Sequence, residues 1–129
     1  MRRILEFISD NAVILAGHEA IELRVMAHSV GGAIIGQVAW EYPHISRLLL
    51  VNPAMGVRQT KVYAGLKEFT GKTTILVGSK DPAAGLADDK TLTDTVTDLD
   101  IITVEEADHN FSGEAFPVFL EVPSTYLFD

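Results

Sequence analysis

"RVMAHSVGGAIIG", residues 24–36, is the stretch from which the rest of the chain is best read. An apolar run, a single serine and two glycines stand together, and a helix pattern begins at once. "LRVMA" (23–27) is a compact apolar run ending in a turn signal, which reads as a buried strand. "GGAIIGQVAWEY" (31–42) reads as a helix stopped by Pro43, whose ring cannot continue the backbone ladder. Two explanations fit this stretch. The glycines let a strand and a helix pack closely, or a sharp turn aims the Ser29 hydroxyl out of the fold.

The same alternation continues outward. "RLLLVN" (47–52) is a second apolar strand closed by Pro53, and "TTILVG" (73–78) is a third. "DIITVEEA" (100–107) is the fourth. Between them, "RQTKVYAGLKEF" (58–69) and the threonine-rich "DKTLTDTVTDL" (89–99) read as helices. "GEAFPVFLEV" (113–122) reads as a last helix, with Pro117 near its start. Upstream, Ile4, Leu5, Ile8, Ala12 and Leu15 recur at helical spacing, which predicts an amphipathic helix over 2–17; the "AVIL" within it also suits a short strand. Continuous apolar strands, rather than alternating ones, imply burial on both faces and parallel pairing. Right-handed crossovers then place the connecting helices on one face. The predicted fold class is α/β, with a parallel sheet of about four strands and helices on both faces.

Composition narrows the function. The 129 residues suit one domain, 47% hydrophobic, able to bury roughly two thirds of the unfolded chain's surface. A net charge of −8 leaves no basic stripe to neutralise phosphates, so neither nucleic acid nor an anionic membrane is an expected partner. With no cysteine there is no disulfide, thiolate metal site or cysteine nucleophile, and no histidine–carboxylate spacing suggests a metal. Glu6 and Asp10 interrupt any signal-peptide core, and no apolar run reaches the roughly 18 residues of a membrane span. A cytoplasmic protein without cofactor is expected.

Ligands of open parallel sheets bind beyond the carboxyl ends of the strands. His28-Ser29-Val30-Gly31, Asn52-Pro53, Ser79-Lys80-Asp81-Pro82 and Asp108-His109-Asn110 follow the four strands in turn. A serine, an acid and a histidine thus stand at three of the four ends, in the chain order of one nucleophilic scheme. A serine hydroxyl attacks only when a base takes its proton, and an imidazole can accept that proton and later return it. A buried carboxylate fixes the imidazole's tautomer and stabilises the imidazolium. Ala27 and Gly31 supply the small neighbours of a tight turn, and the following helix directs free N–H groups, Val30's included, toward an oxyanion.

"AHSVGG" resembles the nucleophile elbow of the α/β-hydrolase superfamily, in its variant with alanine for the first glycine. "LVGSKDP" resembles that family's acid turn, and "EEADHNF" its histidine turn. The resemblance implies Ser29 as nucleophile, Asp81 as orienting acid, His109 as base and the Val30 N–H as one oxyanion donor. A carboxylesterase or lipase, acting on a small ester or acyl substrate through an acyl-enzyme, is the implied activity; peptidase or thioesterase chemistry would use the same residues. The resemblance spans essentially the whole chain, read as one domain over 1–129, but only the second half of the family's fold. Residues 1–23 hold no counterpart of the loop that supplies the family's second oxyanion donor. "AGHEA" (16–20) places Gly17 and His18 too near the elbow and in reverse order.

Without the family's earlier strands, strand 23–27 becomes an open edge and part of one sheet face is bare, features that invite association. A homo-oligomer or a missing N-terminal segment is therefore expected, and a catalytically silent oligomeric or binding module is the alternative function.

Among the other residues, His28 is read as packing or hydrogen bonding, His18 and His44 as surface residues, and Glu105, Glu106 and Asp108 as solvated charges. Neutral Asn52 excludes an acid after the second strand. Trp40 and the phenylalanines near 111–119 are read as core, with Phe111 also a candidate wall of an acyl pocket. "GLKEFTGKTT" (65–74) resembles a phosphate-binding loop only superficially: its glycine spacing is one residue too long, and it precedes a strand instead of following one.

Overall fold

Four strands, β1 (Leu23–His28), β2 (Ile45–Val51), β3 (Lys72–Gly78) and β4 (Leu99–Val104), pair side by side in chain order, all parallel. They come from a computed structural model that describes residues 1–10 and 21–128. The helices are α1 (Arg2–Asp10), α2 (Val30–Val38), α3 (Gln59–Glu68), α4 (Lys90–Thr95) and α5 (Phe116–Tyr126). The register aligns His28 with Val51, Val51 with Leu76, and Leu76 with Ile102. The residues that follow each strand therefore emerge along one rim.

The apolar runs explain the layering. Successive residues of a strand point to opposite faces. Leu48 and Leu50 of β2 join a core with Ile35, Val62, Leu66 and Leu92, from α2, α3 and α4. Leu49 and Val51 join a second core with Phe111, Val122 and Leu127, on the α5 side. Each fully buried aliphatic side chain contributes about 1.5–3 kcal/mol, so the leucines of β2, buried on both sides, anchor the sheet. Between α2 and α3 the approach is closest at two glycines: a Cβ on Gly65 would overlap the Gly36 carbonyl oxygen. Among the described strands, β1 lies at the sheet edge, with all six residues only half-buried.

Several boundaries differ from the sequence reading. The helix expected over 31–42 starts at Val30 and tightens into a 3-10 turn at Ala39–Glu41, which leaves Trp40 48% exposed instead of in the core. Phe116 is likewise half exposed, whereas Phe111 is fully buried. Residues 82–88 form a 3-10 helix, and Asp89 then caps the short α4 by accepting from the Leu92 N–H at 3.0 Å. The run of β-branched threonines after Thr91 sustains only six helical residues. β4 ends at Val104, before the turn at Glu105. α5 runs through Pro123, which loses one N–H but still accepts from Leu127 at 2.9 Å. α1 buries Leu5 and pairs Arg2 with Glu41. The remainder of the helix expected over 2–17, the "AVIL" run and His18 lie outside the described residues. No helix among the described residues is long and apolar enough to cross a membrane.

Candidate active site

Ser29 is the single residue between β1 and α2, and its backbone has φ 56° and ψ −124°. L-residues adopt positive φ at a cost of about 1–3 kcal/mol, so the surroundings must impose it. They do so through the backbone. The Ser29 N–H donates to the Val51 carbonyl at 3.0 Å, and the Ser29 carbonyl accepts from Gly32 at 3.1 Å and from Ala54 at 3.0 Å. Space is the second constraint. A Cβ on Gly32 would sit 2.9 Å from the Pro53 ring, while one on Gly31 would make ordinary contact with Ala27 at 3.8 Å. The tight approach thus falls on Gly32, not on Gly31 as expected. Close packing accounts for Gly32, and Ser29 itself is half-buried.

Asp81 follows β3 and opens the 3-10 helix at 82–88. Its Oδ1 accepts from the Ala83 N–H at 2.7 Å, and the residue is 6% exposed. This leaves Oδ2 for His109, whose Nδ1 lies 2.5 Å away. The other ring nitrogen of His109, Nε2, lies 2.9 Å from Ser29 Oγ. A carboxylate only accepts, so Nδ1 carries the proton, and Nε2 of the neutral ring is free to accept the serine O–H. Three turns, after β1, β3 and β4, bring serine, imidazole and carboxylate into one chain of hydrogen bonds. The Val30 N–H has no acceptor among the described residues.

Phe111 is not brought to this site. Its ring is fully buried against α5, 5.5 Å from the Phe119 ring, on the far side of the sheet from the helices that flank Ser29. The apolar pattern around residue 111 marks burial but not which face receives it.

Three polar residues are used more fully than their sequence context suggests. Asn52, just past β2, is 1% exposed with φ 41°. Its Nδ2 donates to the carbonyls of Asp108 at 3.1 Å and His109 at 3.0 Å, and its Oδ1 accepts from the Gly78 N–H at 2.8 Å. His28 Nε2 lies 2.7 Å from the same His109 carbonyl, and that contact makes it the protonated nitrogen. Asp108 is half-buried rather than fully solvated and accepts from the N–H groups of Ser112 at 2.8 Å and Asn110 at 3.2 Å. Its carboxyl is held below its ordinary range, chiefly by the Ser112 N–H. The only sequence signal for Asn52 was its position at a strand end.

A cavity of about 390 Å³ opens beside the imidazole, lined by Asp81 and His109 together with Met55, Tyr63, Leu86 and Asp89. Neither lysine nor arginine lines it. The Tyr63 hydroxyl donates to Asp89 Oδ2 at 2.6 Å. Burial, and then Asp89, push the phenol up to about 12, while the Tyr63 hydroxyl, followed by the Leu92 N–H, holds the Asp89 carboxyl below its ordinary value. A larger groove of about 810 Å³ between α1, α2 and α3 contains none of Ser29, Asp81 and His109.

Solved structures share this fold. A protein described as a predicted CIB-like hydrolase from Thermoplasma acidophilum is 23% identical, with a TM-score of 0.66 over 94% of this chain and 56% of its own. An alpha-beta serine hydrolase homologue from Coxiella burnetii is 14% identical, with a TM-score of 0.72 over 96% of this chain and 55% of its own. The esterase domain of a Rhodothermus marinus protein is 16% identical, with a TM-score of 0.66 over 97% and 66%. No family model matches the sequence, and no curated protein matches it. The described residues therefore carry the α/β-hydrolase fold, and the chain spans between 55% and 66% of the length of these three structures.

Proposed function

We propose that this chain is a serine hydrolase of carboxylesterase or lipase type, acting through an acyl-enzyme on Ser29. The observation that carries the reading is the pair of hydrogen bonds on His109: 2.9 Å from Nε2 to Ser29 Oγ and 2.5 Å from Nδ1 to Asp81. In this reading, His109 Nε2 takes the hydroxyl proton as Oγ attacks the ester carbonyl carbon. The carbonyl π electrons move to oxygen, where the Val30 N–H stabilises the anion. As the tetrahedral species collapses, the C–O bond to the alcohol breaks and imidazolium gives its proton to the departing oxygen. Water then repeats the sequence on the acyl-enzyme, and release of the acid regenerates Ser29. Asp81, buried and pinned by the Ala83 N–H, keeps Nδ1 protonated throughout. The cavity beside His109, whose lining includes the imidazole but not Ser29, has room for the body of a small ester.

A second reading is favoured by β1. Among the described residues it is the sheet's edge, directly before Ser29, where no further strand brings a second oxyanion donor, and its half-buried residues invite a partner. The chain would then be a weak or silent hydrolase fold that acts as a homo-oligomeric or binding module. Covalent labelling by a fluorophosphonate probe separates the two. Labelling abolished in Ser29→Ala and His109→Ala supports the hydrolase, and failure of well-folded wild-type protein to react supports the module.

A further inference from the structure

The two ring bonds of His109 orient the imidazole, but the loop that carries the ring needs its own anchor. The His109 carbonyl receives two donors, Asn52 Nδ2 at 3.0 Å and His28 Nε2 at 2.7 Å. Asn52 also donates to the preceding carbonyl, Asp108, at 3.1 Å, so both of its amide protons go to consecutive residues of the histidine turn. Its oxygen accepts from Gly78 at the end of β3, and its backbone N–H donates to Leu76 at 2.8 Å. One buried amide thus ties the ends of β2 and β3 to the turn after β4. No carboxylate or hydroxyl of similar size offers two donors and an acceptor together.

We propose that Asn52 is a positioning residue for the candidate base: it fixes the His109 main chain so that Nε2 stays within reach of Ser29. The inference rests on the serine-hydrolase reading for its meaning in catalysis, but its geometric part can be tested without turnover. Asn52 does not stand in for the acid, because it faces the carbonyl of His109 and not the ring.

The deciding variant is Asn52→Asp. It preserves shape and the acceptor for Gly78, but it puts oxygen where two carbonyl oxygens lie about 3 Å away. Ionised, the new carboxylate repels both. Protonated, its O–H donates to one of them, and burial favours that form. The titratable groups around Asn52 and the turn are His28, Tyr63, Lys80, Asp81, Asp89, Glu105, Glu106, Asp108 and His109, and they are common to variant and wild type. Comparing the two proteins at each pH isolates the substitution.

The experiment measures fluorophosphonate inactivation of folded protein between pH 6 and 8.5, together with the low-field proton NMR signal of His109 Nδ1–H. At pH 8.5 the inactivation rate constant of Asn52→Asp should fall about 100-fold, since a misplacement of about 1 Å costs this much. Probe affinity should stay unchanged, the NMR signal should broaden or vanish, and the deficit should narrow toward pH 6. Asn52→Ala should show the loss at every pH. If either variant, when folded, labels at the wild-type rate at pH 8.5 and keeps the signal, the proposal fails. If wild-type protein never labels but loses the signal on substitution, the hydrolase reading falls and the positioning role stands.

Discussion

His109 Nε2 lies 2.9 Å from Ser29 Oγ although 80 residues of chain separate them. The parallel sheet makes this possible. Strands of similar length in nearly level register deliver the turns after β1 and β4 to one rim, with β3 supplying Asp81 between them. The contact is therefore a consequence of strand order and register as much as of the three side chains.

Removing the hydroxyl or the imidazole from the hydrogen-bond chain should eliminate acylation. Ser29→Ala and His109→Ala are expected to show no probe labelling above background. Asp81→Asn should lower the rate about 10⁴-fold by favouring the wrong imidazole tautomer. Stopped-flow or gel-based labelling kinetics would read all three. A wild-type rate in Asp81→Asn would remove the carboxylate from the scheme.

Asp81 and Asp89 line the cavity, and no basic side chain does. Esters bearing a carboxylate should therefore react more slowly than neutral ones of the same length, by about tenfold if one repulsive contact persists in the bound state. Paired p-nitrophenyl esters, butyrate against hemisuccinate, supply the measurement. Equal kcat/KM values for the two would refute it.

Tyr63 carries a pH signature. Its phenol is raised to about 12 in the folded chain, against about 10 when unfolded. The unfolded state releases this proton first, so the stabilisation is complete below about pH 10 and is lost as pH rises toward 12. Urea unfolding at stepped pH should show the loss in wild type and a smaller one in Tyr63→Phe. A matching slope in both proteins would contradict the assignment.

Glycines that look alike in sequence should respond differently to a methyl group. Gly65→Ala forces a Cβ onto the backbone of α2 and should destabilise by about 1–3 kcal/mol. Gly31→Ala meets only ordinary contact within a helix and should be neutral or stabilising by up to about 1 kcal/mol. Chemical denaturation of each variant distinguishes them.

The strands and their parallel pairing were legible because apolar runs such as "RLLLV" leave no polar face for solvent, and because turn residues punctuate them. Ser29, Asp81 and His109 were legible as strand-end residues, since topology alone brings such ends together. Less visible was anything decided by one local contact. The 3-10 turns at 39–41 and 82–88 have no periodic signature, and Trp40 ended up at the surface because the helix tightened beneath it. Phe111 has the hydrophobicity of a pocket wall, but the sharp turn at φ 52° sends it to the opposite core. Asn52 was read for the charge it lacks, when its two amide protons are what the turn uses.

The left-handed backbone at residue 29 sets durability against chemistry. Glycine would occupy that conformation at ease, so Ser29→Gly is expected to melt at a higher temperature while losing every reaction that needs the hydroxyl. Selection for thermal robustness alone would favour that exchange. What the side chain at residue 29 adds in return is its hydroxyl's contact with His109.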